Sequence, residues 1–137
     1  MNTKLIMTLS AIFLALVGIA LSFFPGEIAV FIGAGYAQTF RVILQLSGAL
    51  YFAFAMLNWM AKGSPIGGIY NRPIAIANFT HFLMGSLALI KALMNHPGIT
   101  PVIWVLAGLY SIFAVLFGLI FFRNPVSNKS FTTTIKV

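Results

Sequence analysis

The sequence contains no cysteine and no aspartate, and Glu27 is its only acidic residue. The absence of cysteine excludes disulfides, thiolate metal sites and cysteine nucleophiles. A single carboxylate also excludes the catalytic mechanisms that require two acidic side chains. These four kinds of chemistry are therefore not available to this chain.

Charge of either sign is scarce. Only 7% of the 137 residues are charged and 61% are hydrophobic, whereas an ordinary soluble domain is roughly 25% charged and 45–50% apolar. So few charged residues cannot cover a surface that faces water, which excludes a soluble globular fold. The net charge of +7 is spread along the chain and suits anionic lipid headgroups, so nucleic acid is not a predicted partner.

Four long runs of apolar residues make up most of the sequence. A helix needs about 20 mostly apolar residues to cross the hydrocarbon core of a bilayer. Proline occurs beside the ends of the four runs or in the loops between them, and never in the middle of a run, where it would break a helix. The sequence therefore predicts an all-α fold, a transmembrane four-helix bundle in residues 1–125, with a polar cytoplasmic tail at 126–137. The predicted spans are 5–24, 42–61, 74–94 and 102–122.

The first span is predicted to be a membrane anchor that is retained. Its apolar run is longer than the 7–15 residues of a signal-peptide core, and no cleavage site of small residues follows it.

The basic residues predict the orientation. With the N-terminus in the cytoplasm, six of the eight Lys and Arg residues lie inside, and Arg41 and Lys91 lie outside. Because an excess of basic residues marks the cytoplasmic side, both termini are predicted to be cytoplasmic. The six inner residues are Lys4, Lys62, Arg72, Arg123, Lys129 and Lys136.

The outer loop between the first two spans contains a second, shorter apolar stretch, Ile28–Ile32. The stretch is too short to cross the membrane and too apolar to extend into water. We therefore expect a short helix that lies in the membrane interface.

A weak internal repeat relates the second span to the fourth. Residues 42–51, which end in Leu50-Tyr51, resemble residues 102–110, which end in Leu109-Tyr110, with a slip of one residue. The repeat suggests two tandem helical hairpins of the same orientation. The alternative is chance similarity between apolar helices that are built from few residue types.

Small residues recur at helical spacing in three of the spans. In a bilayer, such residues let helices approach closely. The sequence favours packing within one bundle over a dimer seam, because every span must find neighbours. The residues are Ala11, Ala15, Gly18 and Ser22 in the first span, Gly85, Ala88 and Ala92 in the third, and Ala107, Ser111, Ala114 and Gly118 in the fourth.

Three polar residues within the spans are the candidates for a binding site. Polar side chains inside a membrane are costly and are often functional. Asn58 lies one turn before Lys62, Asn78 lies at a similar depth in the antiparallel third span, and His81 lies about one turn deeper. The three are predicted to form a ligand-binding pocket that Thr8 or Ser10 completes. The alternative is that they form hydrogen bonds that only fix the helix register.

The sequence predicts no metal and no cofactor. A metal site needs three or four ligands on the same side of the membrane. The candidates are His81, His96 and Glu27, and His81 is separated from the other two by depth.

Several features recur together along residues 5–123. They are Phe24-Pro25 at the end of the first span, a glycine-rich outer loop, the pattern Gln45-x-x-Gly48-x-Leu50-Tyr51, the Pro97-Gly98 turn and the closing Arg123. In these features the chain resembles a family of small bacterial four-helix integral membrane proteins of unknown function. The resemblance implies a four-helix architecture in a bacterial inner membrane, and it implies no activity and no site residue.

These observations predict a non-catalytic integral membrane protein that has an accessory role or binds a hydrophobic ligand or lipid. The alternative is an oligomeric transporter or channel for a small solute. A membrane enzyme is disfavoured because acids and thiols are missing. Membrane lipids are the expected partners, with either a second copy of the chain or another membrane protein beside them.

Overall fold

A computed structural model describes residues 2–33, 35, 37–64, 71–96, 98 and 100–123. These residues form an all-α bundle, as the sequence predicts. The helices are α1 (Thr3–Phe23), α2 (Pro25–Phe31), α3 (Gln38–Ala61), α4 (Arg72–Asn95) and α5 (Pro101–Arg123). The predicted cytoplasmic tail, 126–137, lies outside the described residues.

Helices α1, α3, α4 and α5 are each long enough and apolar enough to cross a membrane. They coincide with the four predicted spans but begin one to four residues earlier, most clearly α3, which starts at Gln38 rather than at residue 42. The apolar pattern predicts only the part of each helix that would lie in lipid. The helix itself extends beyond that part through polar residues, as α3 does from Gln38. At the start of α1, for example, the Leu5 N–H donates to the Asn2 side chain (3.3 Å), which caps the helix.

The short apolar stretch of the outer loop is helical, and it forms α2. Pro25 begins this helix immediately after α1 ends, because proline lacks an N–H and suits a first helical turn. The Arg41 guanidinium of α3 lies beside Gly26, and its Cζ would be 3.6 Å from a Cβ at that glycine, which is an ordinary van der Waals distance. Gly33, with a φ of 75°, then turns the chain toward α3 through a conformation that favours glycine.

The helices pair as two consecutive hairpins. Helix α1 packs along α3, and α4 packs along α5, whereas the backbones of the two hairpins approach each other at few points. Aromatic side chains pack inside the second hairpin: Phe82 of α4 stacks on Phe113 (4.9 Å between ring centroids) and on Phe117 (5.6 Å) of α5. Phe13 of α1 stacks on the same Phe113 (5.6 Å), so this aromatic core joins the hairpins.

Within the first hairpin, the backbones meet closely at two glycines. A Cβ added to Gly18 would lie 2.8 Å from the Phe52 nitrogen, and one added to Gly48 would lie 2.8 Å from the Gly18 carbonyl oxygen. Ser22 lies beside Gly48 in the same contact. Members of the predicted small-residue stripe in the first span therefore pack within the chain itself.

The second hairpin uses its small residues to accommodate rings. The Tyr110 ring occupies the space beside Gly85, and the Phe79 ring lies beside Gly118. Because Tyr110 is only 3% exposed, its position is fixed, and this fixed ring contributes to the site described below.

Candidate ligand-binding site

Asn58 of α3 and Asn78 of α4 form a reciprocal pair. Each amide nitrogen donates to the side-chain oxygen of the other residue at 2.7 Å. Both side chains are completely buried. The structure thus brings together two of the three predicted site residues.

Ser10 of α1 completes this group, which we call the asparagine cluster (Ser10, Asn58 and Asn78). The Asn58 amide also donates to the Ser10 Oγ (3.0 Å), and the Asn78 amide also donates to the Ile74 carbonyl (2.9 Å). The Ser10 hydroxyl donates to the Met7 carbonyl at 3.0 Å. Every amide hydrogen in the cluster therefore has a protein acceptor, and the cluster links three helices.

Of the two residues of the first span that the sequence proposes beside Asn58 and Asn78, Ser10 is the one that accepts a hydrogen bond from Asn58. The Thr8 hydroxyl instead donates to the Lys4 carbonyl of its own helix (2.8 Å).

His81, the third predicted site residue, has different neighbours. His81 follows Asn78 by three residues, which is about 60° less than a full helical turn. Its side chain therefore leaves α4 in a different direction from that of Asn78 and lies further along the helix. Its ring stacks on Phe54 (4.9 Å, 22°) and meets the edge of Tyr51 (5.4 Å, 79°). The Tyr110 hydroxyl lies 3.4 Å from its Nε2, while no hydrogen bond joins it to the asparagine cluster among the residues that the structure describes.

Tyr51 and Tyr110 belong to this second site but were not predicted from the sequence. The Tyr110 phenol lies next to the Tyr51 phenol and to the His81 ring. The internal repeat contained the relevant signal, because it aligns Leu50-Tyr51 with Leu109-Tyr110. We call Tyr51, His81 and Tyr110 the tyrosine–histidine cluster.

A cavity of about 200 Å³ opens beside this cluster between α3 and α4. Its lining residues are Ser47, Leu50, Tyr51, Phe54 and His81. The Ser47 hydroxyl donates to the Ile43 carbonyl (2.8 Å), which leaves its oxygen available as an acceptor. Leu50 is 67% exposed, so the mouth of the cavity faces the outside of the bundle, where a bilayer would place lipid.

The cavity lies near the middle of the spans. Tyr51, His81 and Tyr110 are each within three residues of the midpoint of their helices. The asparagine cluster lies nearer to the ends, since Asn58 is three residues from the end of α3. The two clusters therefore occupy different depths of the bundle.

The groups around the cavity are suited to binding through hydrogen bonds. In the part of the chain that the structure covers, no three His, Cys, Asp or Glu side chains come together as metal ligands. The polar groups around the cavity are an imidazole, a phenol and a hydroxyl, which donate and accept hydrogen bonds. Such groups in an otherwise apolar wall are typical of sites that orient a hydrophobic ligand.

Comparison of the chain with protein-family models, with curated proteins and with solved structures gives no match. The resemblance to the small bacterial four-helix family stays a prediction from the sequence.

Proposed function

We propose that this is a non-catalytic integral membrane protein that binds a hydrophobic ligand or lipid and serves as an accessory to another membrane component. The observation that carries the proposal is the cavity beside His81, which combines polar groups with apolar walls at mid-span and opens outward from the bundle.

The two polar clusters divide the roles that the sequence assigned to one pocket. The amides of Asn58 and Asn78 are engaged with each other, with Ser10 and with Ile74, so they have no hydrogen left to donate to a ligand. His81 and Tyr51 instead line a cavity. We therefore assign ligand binding to His81 and Tyr51, and the fixing of helix register to Asn58 and Asn78.

This function predicts that a hydrophobic molecule is retained when the protein is purified in mild detergent. His81→Phe keeps a flat ring of similar size but removes both nitrogens, so we expect at least a tenfold loss of the bound molecule. Native mass spectrometry measures the retained mass directly. The matched control is His96→Phe, because His96 caps the end of α4 far from the cavity.

Equal retention by the wild type and His81→Phe would contradict a ligand-binding role for the cavity. Loss of the molecule in both histidine variants would also contradict it, because that pattern reports general destabilisation.

We also propose that the protein resides in a bacterial inner membrane with both termini in the cytoplasm. The support is the 6-to-2 distribution of basic residues and the resemblance described above. A reporter that is active only in the cytoplasm should be active when it is fused after Val137. A reporter that is active only after export should be silent at the same position. A second reporter in the turn around Gly98 should show the reverse, and matching signals at both positions would refute this topology.

An oligomeric small-solute transporter or channel is the second candidate. The specific observation in its favour is that the cavity lies at mid-span where the two hairpins meet, as transporter sites often do at the interface between repeats. Solute flux into liposomes together with an oligomer in native mass spectrometry would establish it. A monomer that retains a hydrophobic ligand without flux would exclude it.

A further inference from the structure

We infer that the ligand of the cavity beside His81 carries a neutral, flat ring with carbonyl or hydroxyl oxygens on a hydrophobic tail, which is the chemistry of quinones and quinols. This inference rests on the proposed function and specifies its ligand class. Charge, hydrogen bonding and shape each lead to it separately.

The first argument is charge. The charged residues of the described ranges all lie in α2 or within four residues of an end of a long helix; they are Lys4, Glu27, Arg41, Lys62, Arg72, Lys91 and Arg123. Along its own helix, Tyr51 is ten residues from Arg41, which is about 15 Å. Among the described residues, a phosphate or carboxylate in the cavity would have no lysine or arginine as a counter-ion, and an unpaired charge in an apolar environment is very costly. The headgroup is therefore neutral.

The second argument is hydrogen bonding. The Tyr110 hydroxyl pairs with both Tyr51 and His81 Nε2. This network leaves one donor for a carbonyl oxygen of the ligand: the His81 Nδ1–H when Tyr110 donates to His81, or the Tyr51 hydroxyl when Tyr110 donates to Tyr51. The Ser47 oxygen, whose own hydrogen is directed to Ile43, can accept from a ligand hydroxyl. The cavity thus complements both a carbonyl and a hydroxyl, so the oxidised and reduced forms of such a ring both fit its groups. A plain hydrocarbon would use none of these remaining positions.

The third argument is shape. Three of the five lining side chains are rings, those of Tyr51, Phe54 and His81, and aromatic walls favour a flat ring through stacking. A volume of about 200 Å³ is below the roughly 300–1,000 Å³ of a site that encloses a drug-sized molecule. The cavity therefore holds one ring, and the tail leaves past the exposed Leu50 into the surrounding lipid.

The test measures, by equilibrium dialysis, how a benzoquinone with a decyl tail binds to the 137-residue protein in detergent. We expect saturable binding of one quinone per chain. Tyr51→Phe and His81→Phe should each weaken it at least tenfold, and His96→Phe should leave it unchanged. Decanol, which has the same tail without the ring, should not displace the quinone even at a hundredfold excess.

A photoreactive azidoquinone keeps the proposal testable if a variant fails to fold. In the wild-type protein, the label should attach within residues 47–54 or at His81, and excess quinone or quinol should prevent this labelling. Labelling elsewhere would overturn the inference.

The outcomes distinguish the ligand class from the proposed function. If decanol or a phospholipid displaces the quinone as effectively as unlabelled quinone does, the cavity is a general lipid site, and only the quinone class is overturned. If the quinone, decanol and phospholipid all fail to bind saturably, both the class and the proposed function are overturned. Quinone binding that is equal in all the variants would overturn the assignment to this cavity.

Discussion

Asn58→Leu is expected to lower the free energy of unfolding by about 3 kcal/mol. The substitution keeps a similar volume but removes the reciprocal amide pair and the hydrogen bond to Ser10. The Asn78 amide then remains buried without its partner, and an unsatisfied buried polar group costs about 1–3 kcal/mol. Hydrogen bonds between membrane helices contribute about 0.6–1.7 kcal/mol each. Reversible unfolding in mixed micelles of a mild detergent and SDS measures the change.

The double variant Asn58→Leu with Asn78→Leu provides the control. It removes both amides at once, so we expect it to be more stable than the sum of the two single variants implies, with a coupling energy of about 2 kcal/mol. Additive single effects would show that the two amides do not interact in the folded protein. That result would remove the reason to treat the asparagine cluster as structural.

Gly48→Ala is expected to destabilise the protein by about 3 kcal/mol through overpacking. The added Cβ would lie 2.8 Å from two backbone atoms of α1, the Gly18 carbonyl oxygen and the Ser22 nitrogen. Backbone atoms within a helix cannot move aside individually, so α1 and α3 must separate along their contact. Unfolding in the same mixed micelles measures the loss.

Gly108→Ala is the matched control for this prediction. Gly108 is also within a long helix, but a Cβ there would meet nothing within 4 Å. Because alanine is the better helix former by up to about 1 kcal/mol, we expect no loss of stability or a small gain. A similar loss in both variants would show that the close approach at Gly48 is not what stabilises the hairpin.

The candidate site was only partly predictable from the sequence. Depth along a helix follows from counting residues, so the pairing of Asn58 with Asn78 was expected, and Ser10 was one of two residues proposed to complete it. His81 was grouped with them because it lies one turn away. Its actual neighbours, Tyr51 and Tyr110, depend on which way each helix faces, and counting along the chain does not give that rotation.

The sequence by itself determined the number, length and approximate ends of the membrane-crossing helices, because those depend on runs of apolar residues and on the positions of proline. Only the tertiary structure decided which faces of the helices meet. In a soluble protein, a contrast between apolar and polar faces orients each helix, but lipid is as apolar as leucine and provides little such contrast. The rotations were set instead by close contacts such as Gly18 with Gly48, Tyr110 beside Gly85, and the rings around Phe82. These contacts join residues distant in sequence, and they place His81 at a cavity rather than beside the asparagines.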